Sequence, residues 1–347
     1  MKRVFAVTAA LALLCLGGIA QAVTIDTVPV GNPGNAADTR YETPGYGSVG
    51  YSYNIGKYEV TAAQYTDFLN KVARTDTYGL YDAVMDTAVN SHGCNIKRTG
   101  TSGSYTYTIG NGTTDVLLWA NRPVNYVSYW DACRFANWLH NGQPTGIQTA
   151  ATTERGAYTL DNYNGADGRT IQRNANWKWA VTSEDEWYKA AYYKGGGTSA
   201  GYWNYPTKSN TAPSNVGSDG YTDPGNHANY WNNAYTIGAP YRRTKVGEFE
   251  KSGSAYGTFD QGGNVWEWNE AVIATSHRGL RGGWYGEAST LGDGVATLHA
   301  SYRAGYGPAY GYNVAGFRVS EAVPEPSSII ALGMLLTPLL GIRRRRM

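Results

Sequence analysis

Three stretches of the chain carry apolar residues at helical spacing. After Thr61, the segment Ala62 to Ala73 sets Tyr65, Phe68, Leu69 and Val72 on one face, with Thr61 placed to cap it. Tyr129 to Asn141 gathers Ala132, Phe135, Ala136 and Leu139, and ends at Asn141-Gly142 with Pro144 beyond. Ser183 opens a third helix. Glu186 stands three positions on, which makes a capping box, and Trp187, Ala190, Ala191 and Tyr192 follow. Strand signals are shorter. Tyr58-Glu59-Val60-Thr61 closes an alternating stretch, and Ser102 to Ile109 alternates as a hairpin strand. Residues 75–120 otherwise show little helical pattern. Residues 23–50 read as a lead-in strand and loops, and 195–245 as Gly/Asn/Tyr-rich loop. The last third alternates short aromatic strands with Gly turns, and no fixed-period repeat is visible.

The two ends have a different character. Lys2 and Arg3 precede an apolar run to Ile19, and Ala20-Gln21-Ala22 fits the small-x-small rule of a secretion signal. At the other end, Val323 to Ser328 is extended and proline-bearing. Ile329 to Ile342 is apolar, and Arg343 to Arg346 are four consecutive cations. An apolar stretch of this length is short for a membrane span, and the positive-inside rule would hold its basic cluster at the cytoplasmic face.

The ends also carry the formal positive charge. The whole chain is +2; without Lys2, Arg3, the four terminal arginines and Glu325, 23 cations face 26 anions. Nothing in this balance points to nucleic acid. The body between the ends keeps two cysteines, Cys94 and Cys133, enough for one disulfide but not for a disulfide scaffold. With 44 Gly, 29 Tyr and 11 Trp and only 16% charged residues, it reads as a loop-rich, aromatic-rich globular domain.

Candidate chemistry centres on Gly263-Asn264-Val265-Trp266-Glu267-Trp268. Trp266 and Trp268 are large anchors that each need a partner for an N–H. A carboxylate set between them, Glu267, needs a cation or a metal. One alternative is calcium, which takes six to eight oxygens. The other is a salt bridge to Arg281 or Arg318. Arg281, Arg303 and Arg318, if buried, require carboxylate or carbonyl partners. The five histidines (His92, His140, His227, His277 and His299) show no local pairing, and no HExxH or Gly-x-Ser-x-Gly motif occurs.

Six segments occur in order: the Tyr58–Thr61 strand end with its helix, Pro123 to Ala132, Thr182 to Trp187, GNVWEW, Arg278 to Trp284 (RGLRGGW) and Gly316-Phe317-Arg318-Val319. Together they resemble the sulfatase-modifying factor family, whose best-known members are formylglycine-generating enzymes. The resemblance implies an α+β fold: a single irregular, loop-rich domain of C-type-lectin-like type, with short strands and a few helices. It implies a calcium site in which Asp260 and Glu267 give carboxylates and Gly263 and Val265 give carbonyls. A second site would use Asn229 and the Tyr230 carbonyl. The C-terminal segment resembles the PEP-CTERM sorting signal, which implies processing by an exosortase-type protease after signal peptidase has acted. The expected organisation is a signal peptide over 1–22, a lead-in over 23–50, the domain over 51–320 and a sorting and anchor segment over 323–347. The expected destination is the cell surface or extracellular matrix, with the C-terminal helix as a transient inner-membrane anchor and the only membrane contact.

The resemblance stops at the chemistry. Formylglycine generation uses two cysteines that hold copper, and their places fall here at Glu287 and Gly292. No cysteine follows Cys133. The expectation is therefore a non-catalytic surface or matrix module that binds calcium, not copper, with a glycan, peptide or matrix polymer as ligand. The alternative is a metal-dependent oxidoreductase of the sulfatase-modifying type with a divergent site.

Overall fold

The computed structural model describes residues 22–216, 223–286 and 294–324. The expected secretion signal and the sorting tail lie outside the described residues, apart from Ala22 and the Val323-Pro324 pair. No helix among the described residues is long and apolar enough to cross a membrane.

The chain opens with β1 (Thr27–Val30) and β2 (Tyr53–Gly56), which pair antiparallel, so the lead-in segment is built into the main sheet. Helix α1 (Ala62–Val72) follows. Thr61 accepts from the Gln64 N–H while the Gln64 side chain accepts from the Thr61 N–H. This reciprocal cap satisfies two of the donors that every helix start leaves open. Next come the hairpin β3 (Ile96–Thr99) and β4 (Thr106–Ile109), with the Ser102 end of the expected strand forming the turn instead. Helix α2 (Thr113–Trp119) was not expected from the sequence. It is two turns long, and Gly112 gives it no side-chain cap, so little in the sequence marks it.

Helix α3 (Tyr129–His140) is capped by Ser128 and Asp131 and is buried on nearly all sides. Strand β5 (Trp179–Val181) leads to α4 (Glu184–Tyr192), whose Ser183–Glu186 box forms as expected. The last third supplies β6 (Trp266–Ile273), β7 (His277–Arg281), β8 (Ala304–Tyr306), β9 (Ala315–Gly316) and β10 (Val319–Ala322).

Two four-stranded sheets result, ordered β1-β2-β10-β5 and β8-β7-β6-β9. The fold is α+β, with long irregular connections. The core between α1, α3 and the final strands is aromatic. Phe68 meets Phe135 edge-on at 5.2 Å, and Phe135 meets Phe317 edge-on at 5.4 Å. Such pairs each add about 1 kcal/mol beyond the area they bury.

Candidate functional site

The GNVWEW segment is held by backbone that only particular residues tolerate. Gly263 has φ +91°, and a Cβ there would lie 2.1 Å from the Asn229 carbonyl oxygen. Glycine is what lets the 229 loop approach. Asn264 then donates its N–H to that same carbonyl at 2.8 Å. Its side-chain oxygen accepts from the Asn229 amide (2.8 Å), the Thr244 N–H (2.9 Å) and the Thr244 hydroxyl (3.0 Å). The two loops expected to hold calcium are thus brought side by side.

Glu267 is paired. Both of its oxygens accept from Arg318, at 2.5 and 2.6 Å, and one also accepts from the Trp187 indole at 2.7 Å. Arg318 is wholly buried and spends its other N–H groups on the Gly56 and Phe259 carbonyls, at 2.9 and 3.0 Å. Of the two candidate arginine partners, Arg318 makes the bridge. Arg281 instead pairs with Glu184 at 2.7 Å, and Arg303 joins the same carboxylate. Arg281 also lies between the Tyr46 and Tyr188 rings, at 4.6 and 4.8 Å. Trp268 gives its indole N–H to the Val127 carbonyl at 3.0 Å, whereas the Trp266 indole N–H has no partner among the described residues.

Asp260 sits in left-handed backbone (φ +59°) and accepts the Gly247 N–H at 2.6 Å. Burial pushes its carboxyl up to about 6. The Gly247 bond and Arg318 oppose the rise, while Glu267 and Glu248 add to it. Sequence reasoning assigned no role to Glu59. It is buried, and neither of its oxygens has a hydrogen-bond partner among the described residues. Burial first, then Asp260 and Glu267, pushes it well above the usual carboxylate range against the pull of Arg318. Three carboxylates here face one guanidinium.

That surplus bears on calcium. A divalent cation would favour the charged forms of Asp260 and Glu59, which burial disfavours, and Asp260 has lone pairs to give. At the second expected site the Asn229 side-chain oxygen is buried and has no donor, as an oxygen ligand would be. The Tyr230 carbonyl already accepts from Asn215 and Thr236. Among the described residues no three His, Cys, Asp or Glu side chains gather where one metal ion could be held. A cation at either place would therefore depend on backbone carbonyls such as those of Gly263 and Val265.

Across the fold, Trp284 and Tyr285 follow the RGG turn. The Tyr285 hydroxyl is 2.9 Å from His92 Nδ1, and the two rings are stacked. Arg243 braces this pair from beneath, donating to the His92 and Gly93 carbonyls at 2.9 and 2.8 Å. Burial, then Arg242 and Arg243, holds His92 below its ordinary range. Glu287 and Gly292, the expected places of the family's cysteines, lie outside the described residues. Cys94 and Cys133 are free, buried thiols, and burial pushes both above the usual thiol range. They form no disulfide.

With this geometry in hand, the chain can be compared with known proteins. A family model described as a sulfatase-modifying factor enzyme 1-like domain matches residues 22–323. Among solved structures, CarF aligns with a TM-score of 0.53 at 21% identity, covering 87% of this chain and 99% of that one. The two share a fold. Treponema denticola variable protein 1 aligns at 0.45 and 17% identity, covering 85% and 94% of the two chains. PvdO from Pseudomonas aeruginosa aligns at 0.41 and 18%, covering 86% and 92%. No curated protein sequence matches.

Proposed function

The chain belongs to the family of sulfatase-modifying factor enzyme 1-like domains, and from that premise we propose that it is an exported, non-catalytic member acting as a surface or matrix binding module. One observation carries the non-catalytic part: no cysteine follows Cys133, and counted without gaps from the RGG segment the family's two cysteine places fall at Glu287 and Gly292. Copper(I) and oxygen activation need soft thiolates, which a carboxylate and a glycine do not replace. The two cysteines that remain in the body are buried, protonated thiols.

Export rests on the three-part N-terminal signal and on the Pro-Glu-Pro, apolar run and arginine cluster of the C-terminal segment. Calcium is part of the proposal: Asp260 and Glu267, with the Gly263 and Val265 carbonyls, would hold it, and it would tie the 229 and 260 loops together. Exposed tyrosines such as Tyr41, Tyr51 and Tyr310 would suit a flat polar ligand, such as a glycan, peptide or matrix polymer.

The test is aerobic incubation with a peptide bearing a cysteine sulfatase motif. The expected result is full recovery of the thiol and no aldehyde; aldehyde formation would overturn the non-catalytic reading. Deleting Pro324 to Met347 tests the export part. Surface delivery should fail, and unchanged delivery would refute the sorting role.

A further inference from the structure

Three loops, residues 38–41, 203–205 and 299–301, meet at one surface of the domain. His299 packs edge-on against two tyrosine rings, Tyr41 at 5.4 Å and Tyr205 at 5.2 Å. Tyr41 is 38% exposed, and Asn204, Tyr205 and His299 are half-buried. The cluster is tied to the interior. Arg40 donates through Nε and Nη2 to the two oxygens of Asp38, each at 2.8 Å, and through Nη1 to the Asn204 side-chain oxygen at 2.8 Å. Asp38 is buried and also accepts from the Tyr188 hydroxyl at 2.7 Å. An exposed aromatic surface is thus held in one arrangement before any ligand arrives.

The polar groups around the rings have assigned roles. An arginine can only donate, so Asn204 presents its oxygen to Arg40, and the Tyr41 hydroxyl donates to the same oxygen at 3.3 Å. That leaves the two amide N–H donors of Asn204 for another partner. His299 Nδ1 accepts the Ser301 N–H at 3.2 Å, so the neutral ring carries its proton on Nε2. Burial, then Arg40, holds this ring below its ordinary range, against the pull of Asp38. Within the three loops the only full charges are Asp38 and Arg40, which cancel. The surface therefore combines aromatic faces with neutral hydrogen-bonding groups.

We propose that this surface binds a neutral glycan, with the C–H face of a sugar ring packed on Tyr41 and its hydroxyls bonded by the Asn204 amide and His299 Nε2. A sugar ring offers both halves of the match: an apolar face for the aromatic ring, and hydroxyls that accept as well as donate. An extended peptide would need a free strand edge and a helical one an apolar groove. None of the three loops belongs to a strand or a helix. An anionic polymer would need unmatched cations, and Arg40 is matched. The inference deepens the binding role proposed above by committing it to one ligand class at one place, and rests on that reading in treating the domain as a binding module.

Calorimetry on the purified full-length chain tests it. The probes are neutral hexasaccharides of glucose, mannose, galactose and N-acetylglucosamine, with oligogalacturonate as the anionic comparison. Saturable binding of a neutral member is expected, and added salt should not weaken it. Tyr41→Ala should weaken that binding about tenfold, the value of one lost aromatic contact. Asn204→Asp keeps the acceptor for Arg40 but removes the amide donors, and should weaken it about fivefold. Tyr310→Ala, at an exposed tyrosine of another loop, should bind as the parent does. Absence of binding by every neutral member, binding unchanged by both the Tyr41 and Asn204 variants, or preference for oligogalacturonate would overturn the proposal. The two readings fail separately. A glycan that binds equally to both variants would remove this site and leave a binding module standing. Aldehyde in the peptide assay would refute the non-catalytic role and leave this site standing.

Discussion

Glu267 and Glu59 are neighbouring buried carboxyl groups, and the fold handles them in opposite ways. Around Glu267 the charges are matched: a guanidinium meets both oxygens and an indole adds a third donor. Around Glu59, neither oxygen finds a hydrogen-bond partner among the described residues. Burial alone therefore does not decide whether a carboxyl group is held charged or neutral; the supply of donors and counter-charge does. A matched pair pins the fold, whereas burial, Asp260 and Glu267 push the unmatched Glu59 well above the usual carboxylate range.

The comparison can be broken most severely at Arg318. Arg318→Met should destabilise the domain by about 3–5 kcal/mol, because Glu267 is left charged and buried. Urea unfolding would measure it, and the double variant with Glu267→Gln should recover part of the loss. Glu59→Gln should act in the other direction, stabilising the ligand-free chain by about 1–3 kcal/mol at pH 8. The sign follows from its raised folded-state pKa beside Asp260, Glu267 and Arg318. The folded state holds the Glu59 proton more tightly, so the parent chain loses stability as pH rises above the ordinary carboxylate range. The variant does not, and the two should unfold alike near pH 4. Melting curves at pH 4 and pH 8 in the presence of a chelator would decide it. Trp187→Phe removes one donor from Glu267 and leaves Arg318 in place, so the loss should be about 1.5 kcal/mol by the same denaturant method. Asp161→Ala, which breaks the exposed pair with Arg155, should leave the melting temperature unchanged.

Much of the scaffold was legible because its signals are local. The starts of α1, α3 and α4 are written within four residues, as a capping side chain and its reciprocal partner. Helix α2 was not, since Gly112 provides no cap and seven residues hold too few periods. The site was legible in part. The need of Glu267 for a cation followed from its two flanking tryptophans. Which arginine would answer did not, because Arg318 lies 51 positions away, and Arg281 reaches Glu184 across 97. Glu59 escaped for a different reason. Its distinction is the absence of a partner, and an absence leaves no pattern along the chain. A lone Glu between Tyr58 and Val60 looks like any strand residue.

Strand β10 has a further consequence for how the molecule comes into being. It lies between β2 and β5, and the residue just before it is Arg318, so the last strand of the domain is an interior one. Until those residues emerge from synthesis, the first and middle parts of the chain have no strand to join them and Glu267 has no counter-charge. Closure is therefore a late, long-range event. The main sheet cannot be completed until residues 319–322 are available to fill its interior place.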